Sequence, residues 1–160
     1  MLKYLPLLLL LPFLAACDDD EGPQPAAVII DRIQLDRFPI LRPDSTGWDD
    51  QQGGSLPDII FSVDDETNNV EVFRFPSNQA FINVTEGTVL EWSNLNLRLD
   101  NPGSVDYAIS ILDYDDDLDI TEVMGGVVAR FYRSAAGTPE MAILDAEGEV
   151  AFSVDLSWEF

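Results

Sequence analysis

Glu149-Val150-Ala151-Phe152-Ser153-Val154-Asp155-Leu156-Ser157-Trp158 alternates without a break. Val150, Phe152, Val154 and Leu156 are apolar, and Ala151, Ser153, Asp155 and Ser157 between them are small or polar. A period of two puts the apolar set on one face of an extended strand. The same stripe recurs upstream. Ile59, Phe61 and Val63 alternate with Ile60, Ser62 and Asp64, and Tyr107, Ile109 and Ile111 alternate with Asp106, Ala108 and Ser110. The full set of expected strands is 28–36, 58–64, 70–75, 89–93, 106–112, 126–132, 140–144 and 149–158. Gly53-Gly54, Asn68-Asn69, Glu86-Gly87, Asn101-Pro102-Gly103 and Glu147-Gly148 supply turns between them. No stretch carries a sustained helical period with caps, and there is no internal repeat. The expected fold is all-β: an eight-stranded antiparallel β-sandwich over residues 28–160. Its core should include Ile33, Leu35, Ile59, Phe61, Val63, Ile109, Ile111, Val128, Phe152 and Val154.

Composition removes whole classes of chemistry. The 160 residues hold 30 Asp+Glu against 8 Lys+Arg, with one Cys and no His, for a net charge of −22. Without His there is no Ser-His-Asp triad, no Cys-His pair and no His-ligated zinc or iron. One Cys excludes an internal disulfide and a multi-cysteine metal site. The charge argues against nucleic acid, whose phosphates need clustered Lys and Arg. Carboxylate-based glycoside hydrolysis remains, but no acid sits in an apolar context that would raise its pKa for proton donation. The chain is expected not to be an enzyme.

Residues 1–17 read M-L-K-Y-L-P-L-L-L-L-L-P-F-L-A-A-C. One positive residue, Lys3, precedes an apolar run from Leu5 to Leu14 and then small residues. That is the layout of a secretory signal peptide, too short to span a bilayer. The ending Leu14-Ala15-Ala16-Cys17 resembles the lipobox of bacterial lipoproteins. The resemblance implies removal of residues 1–16 and lipidation of Cys17, which would anchor the mature chain durably to a membrane. Residues 17–27, with Asp18-Asp19-Asp20-Glu21 and then Gly22-Pro23-Gln24-Pro25, are expected to form a flexible acidic tether. The acidic run after the Cys is similar to the export signal of surface-exposed lipoproteins in Bacteroidetes-like bacteria, whereas Asp there marks inner-membrane retention in enteric bacteria. The expected location is the outer membrane or the cell surface.

The strongest chemical signal is Leu112-Asp113-Tyr114-Asp115-Asp116-Asp117-Leu118-Asp119-Ile120-Thr121-Glu122-Val123-Met124-Gly125. So many carboxylates at a strand end repel one another unless they are well solvated or hold a cation. Calcium suits such a loop, because it takes six to eight oxygens in irregular geometry. An EF-hand does not fit. With Asp113 as the first position, Leu118 stands where Gly is required and Met124 where Glu is required.

A strand followed by Asp-x-Asp, an acidic loop, an acidic residue and Met-Gly is similar to the third calcium loop of the C-two domain family, the β-sandwich of synaptotagmin and protein kinase C. Asp113 and Asp115 match the Asp-x-Asp pair, and Glu122-Val123-Met124-Gly125 matches the close of the loop. Gly47-Trp48-Asp49-Asp50 through Ser55-Leu56-Pro57-Asp58 resembles the family's first calcium loop. The resemblance implies calcium ligands at Asp49 or Asp50, Asp58, Asp113, Asp115 and Glu122. The chain departs from the family in loop lengths, in Glu122 where the family has Asp, in the order Pro57-Asp58, and in lacking a basic lipid-binding patch. Affinity of about 0.1–1 mM is expected, as in extracellular modules.

The tryptophans are expected in the core or at its rim, except Trp48, whose ring in the first loop would be exposed to a lipid interface or a ligand. The functional expectation is a membrane-anchored lipoprotein carrying a non-catalytic, calcium-binding module for a lipid, glycan or protein. The alternative is an acidic structural or accessory lipoprotein with no specific metal site.

Overall fold

The computed structural model describes residues 23–48, 56–115, 120–147 and 149–160. The leader, Cys17, Asp49 and Asp50 lie outside these residues. Among the described residues eight strands follow in order: β1 Ala27–Arg37, β2 Ile59–Asp65, β3 Val70–Arg74, β4 Leu90–Asp100, β5 Asp106–Asp115, β6 Ile120–Arg133, β7 Pro139–Glu147 and β8 Ala151–Glu159. They form two antiparallel sheets, β4-β1-β8 and β3-β2-β5-β6-β7. The protein is an eight-stranded antiparallel β-sandwich, and each expected strand has its counterpart.

The inner faces meet in one core. β1 contributes Val28, Ile30, Ile33 and Leu35, β2 contributes Ile59, Phe61 and Val63, and β5 contributes Tyr107, Ile109 and Ile111. Phe61 stands at the centre of an aromatic cluster, its ring centroid 5.0 Å from Trp92, 5.4 Å from Phe73 and 5.5 Å from Phe75. Burying each large side chain contributes about 1.5–3 kcal/mol, so this alternation is the main force choosing the register. Phe152 and Val154 pack against the core but stay half-buried, because β8 is an edge strand.

Two expectations about inward and outward faces are corrected. Val128 is only half-buried and points outward: its neighbour Val127 stands opposite the inward Ile109, so Val128 falls opposite Ala108 on the outer face. Conversely, Ile60 and Ser62, expected on a solvated face, are buried. They lie on an internal strand, and Arg74 on β3 crosses that face to donate to Thr121 Oγ1 on β6 at 3.1 Å.

Close approach explains one glycine. A Cβ on Gly126 would lie 2.4 Å from the Ile109 carbonyl oxygen, so no side chain fits there. Next to it, Gly125 has φ of 151° beside a bulge in the β5–β6 ladder, where Ile111 faces Gly125 but Leu112 faces Val123.

The two ends of the sandwich differ. At one end β1 begins beside the end of β8, with Ala27 opposite Glu159 and the Ala26 N–H bonded to the Glu159 carbonyl at 2.8 Å. At the other, Leu35 faces Leu90 and Phe152, and the chain then leaves β1 for segment 38–58. The end of β5 and the start of β6 lie at this second end, against the start of β2.

Candidate functional site

The described acids of both segments, Asp58 of the first and Asp113, Asp115 and Glu122 of the second, lie at the second end. Asp113 faces Ile59 across the β2–β5 ladder and Glu122 across the β5–β6 ladder. Strand geometry persists through Tyr114, with Tyr114 opposite Thr121 and Asp115 opposite Ile120, so Asp113 and Asp115 share one face. Asp58 lies immediately before β2. Its carbonyl accepts the Tyr114 N–H at 2.8 Å, and its own N–H donates to Asp113 Oδ1 at 2.9 Å. The Asp58 carboxylate accepts the Asn83 N–H at 2.6 Å. Asp113 is only 3% exposed, a buried acid whose hydrogen bond to backbone fastens the start of β2 to the end of β5.

Glu122 is occupied differently. Its carboxylate receives both Nε, at 3.0 Å, and Nη2 of Arg42. Arg42 also donates to the Trp48 carbonyl and lies over the Trp48 ring, 5.7 Å from its centroid. Trp48 is 6% exposed, and its indole N–H donates to the Pro39 carbonyl at 2.8 Å. The exposed aromatic expected here is therefore a buried anchor. It holds a small hairpin in which Leu41 bridges to Gly47 and the Arg42 N–H bonds to the Thr46 carbonyl at 2.9 Å. Asp44 closes the turn. The Thr46 hydroxyl, and then its N–H, hold the Asp44 carboxyl below the ordinary range.

Among the described residues no group of three or more acids stands close enough to hold a metal ion. Asp58 and Asp113 each use an oxygen on a backbone N–H, and Arg42 competes for Glu122. Asp49 and Asp50, the remaining expected ligands, lie outside the described residues.

Beside the hairpin lies a cleft of about 570 Å³, a feature the sequence reading did not find. Among the described residues it is lined by Pro39, Ile40, Leu41, Trp48, Val123 and Met124, with Glu86, Glu147 and Glu149 among the remainder. Its walls come from the hairpin, the β6 bulge and the turns before β4 and between β7 and β8. These segments are distant in sequence, so no local signal in the chain marks the cleft.

The chain matches no protein-family model and none of the curated proteins.

Proposed function

We propose that the chain is a lipoprotein of the cell envelope, anchored through Cys17, whose C-two-like β-sandwich is a non-catalytic binding module. Its ligand-binding end is the one bearing Asp58, Asp113, Asp115 and Glu122, with calcium completed by Asp49 or Asp50. The observation that carries this reading is the polarity of the sandwich. The chain enters β1 at Ala26–Ala27, beside Glu159, and Asp58, Asp113, Asp115 and Glu122 lie at the opposite end. Residues 17–26 span at most about 35 Å, and β1 alone is about as long, so the far end returns to the anchoring membrane only when the tether is stretched to its limit. A ligand in the space beyond the anchoring membrane, a glycan or a protein, fits that polarity better than the lipid to which the chain is tethered.

The test is thermal melting of the purified protein at matched ionic strength. Millimolar calcium should raise the melting temperature and chelator should reverse the gain, since a ligand of the native state alone stabilises it. Asp115→Asn should remove most of that gain while leaving apo stability equal or slightly higher, because it relieves repulsion. An unchanged calcium response in Asp115→Asn would reject the site. Cys17→Ser should release the protein from the membrane fraction with its fold intact.

One observation favours the alternative, an acidic accessory lipoprotein without a metal. Asp58, Asp113 and Glu122 already make structural contacts that need no cation. That reading expects sodium and calcium to act alike at equal ionic strength.

A further inference from the structure

We propose that the cleft beside the Trp48 hairpin binds a small apolar molecule carrying an amine. The cleft borders the proposed calcium ligands, with Val123 next to Glu122 and Trp48 next to Asp49, but the proposal does not depend on calcium. Its first support is shape. A concave space of about 570 Å³ lies within the range of small-molecule sites, and most of its wall is apolar. Leu41 and Val123 are 51% and 57% exposed on it, although each is a large aliphatic side chain. Trp48 and Met124 are buried behind them, which makes that part of the wall a fixed surface.

Charge identifies the occupant. Glu86, Glu147 and Glu149 line the same cleft, and among the described residues none of the three makes a side-chain hydrogen bond or ion pair. Elsewhere on the surface arginines meet acids: Arg32 with Glu91 and Asp155, Arg98 with Asp100 and Glu159, and Arg130 with Asp106. The arginine nearest the cleft wall in sequence, Arg42, is committed to Glu122 and to the Trp48 carbonyl and ring. The cleft thus joins an apolar floor to carboxylates without a cation. An anion would be repelled, and a neutral apolar molecule would gain nothing from the three exposed carboxylates at the rim. An ammonium group on an apolar body answers both features.

The experiment is calorimetric titration of the purified protein, in calcium chelator, with 4-phenylbutylamine, its alcohol 4-phenylbutanol and its acid 4-phenylbutyrate. The amine should bind with a Kd of about 1 mM or tighter, as expected for so small a ligand. The alcohol should bind about ten-fold more weakly, and the acid not at all. Replacing Glu86, Glu147 and Glu149 by Gln together should weaken the amine to the level of the alcohol and leave the alcohol unchanged. Leu41→Ser with Val123→Ser, both at exposed positions, should weaken amine and alcohol alike. Control replacements at Asp31 on β1, Glu71 on β3 and Glu140 at the start of β7, none of which lines the cleft, should change nothing. Equal affinity for amine and alcohol overturns the proposal. So does equal weakening by the control set, which would mean diffuse attraction to an acidic surface. Binding only of a basic apolar peptide, with none of the amine up to 10 mM (about ten-fold above the expected Kd), also overturns it. Because chelator is present throughout, failure of the calcium reading leaves every one of these outcomes intact.

Discussion

Asp113 shows how one side chain can look like a ligand in sequence and act as a fastener in the fold. A carboxylate that is 3% exposed must be satisfied, and here it takes the Asp58 N–H at the point where β2 starts. Asp113→Ala would leave that N–H without its acceptor in a closed site, at a cost of about 1–3 kcal/mol. Asp113→Asn keeps an oxygen in place and should cost less, so the two variants separate the hydrogen bond from the charge. Denaturant melts of both, in chelator, measure the difference. If Asn is the more damaging variant, the negative charge itself is structural and the hydrogen bond secondary. Either way, loss of stability in chelator would come from the native contact rather than from a lost metal.

At the scale of the strand, Arg32 on β1 ties its sheet together across both neighbours. Its guanidinium meets Asp155 on β8 with Nε at 2.8 Å and Nη2 at 3.1 Å, and Glu91 on β4 through Nη1 at 3.2 Å. Arg32 holds the Asp155 carboxyl below its ordinary range. The Ser93 hydroxyl, and then Arg32, do the same for Glu91. A depressed carboxyl stabilises the fold above its unfolded pKa of about 4 and loses that contribution as pH falls through the lower folded value. Arg32→Gln should therefore lower stability by a constant amount near neutral pH, and the gap from wild type should close below about pH 4. Melting temperature against pH for the two proteins reads this directly, and a gap persisting at pH 2 would assign the effect of Arg32 to packing. The strands themselves were legible because alternation reports burial directly: Ile59, Phe61 and Val63 face inward as their spacing required. What escaped had a physical cause in each case. β4 was expected to stop at Ser93 because Asn94 and Asn96 break the pattern; both take positive φ in an irregularity between Ser93 and Leu97, and the strand then resumes. Val128 was misplaced because three apolar residues in a row carry no face information, and only the pairing of Val127 with Ile109 decides it. At the site, the run of acids after β5 was legible in the sequence, but among the described residues no three of them stand together. The partnership of Glu122 with Arg42 spans eighty positions of sequence and has no local signal.

Across the whole molecule the dominant electrostatic fact is the surplus of negative charge, and magnitudes decide what salt should do. Exposed ion pairs are weak, so those of Arg32, Arg42, Arg74, Arg98 and Arg130 together supply only a small part of the stability. Salt weakens these pairs, which alone would make the protein less stable in brine. Opposing them is repulsion among surplus acids at a net charge of −22. That many charges form roughly 230 mutual pairs, each worth about 0.2 kcal/mol in water at a separation near 20 Å. The gross repulsion is tens of kcal/mol, and although the unfolded chain shares much of it, compaction adds to it. The screening length falls from about 30 Å at 0.01 M to about 8 Å at 0.15 M, which removes repulsion across the molecule before it removes contacts at 3 Å. Sodium chloride raised from 0.01 to 0.5 M (roughly 30 Å to under 5 Å of screening) should therefore raise the melting temperature, most steeply at the low end. A fall over that range would mean that the arginine pairs outweigh the surplus. Because this rise depends on ionic strength and not on the identity of the cation, it also sets the baseline for calcium: only a gain above the sodium curve at equal ionic strength reports a site.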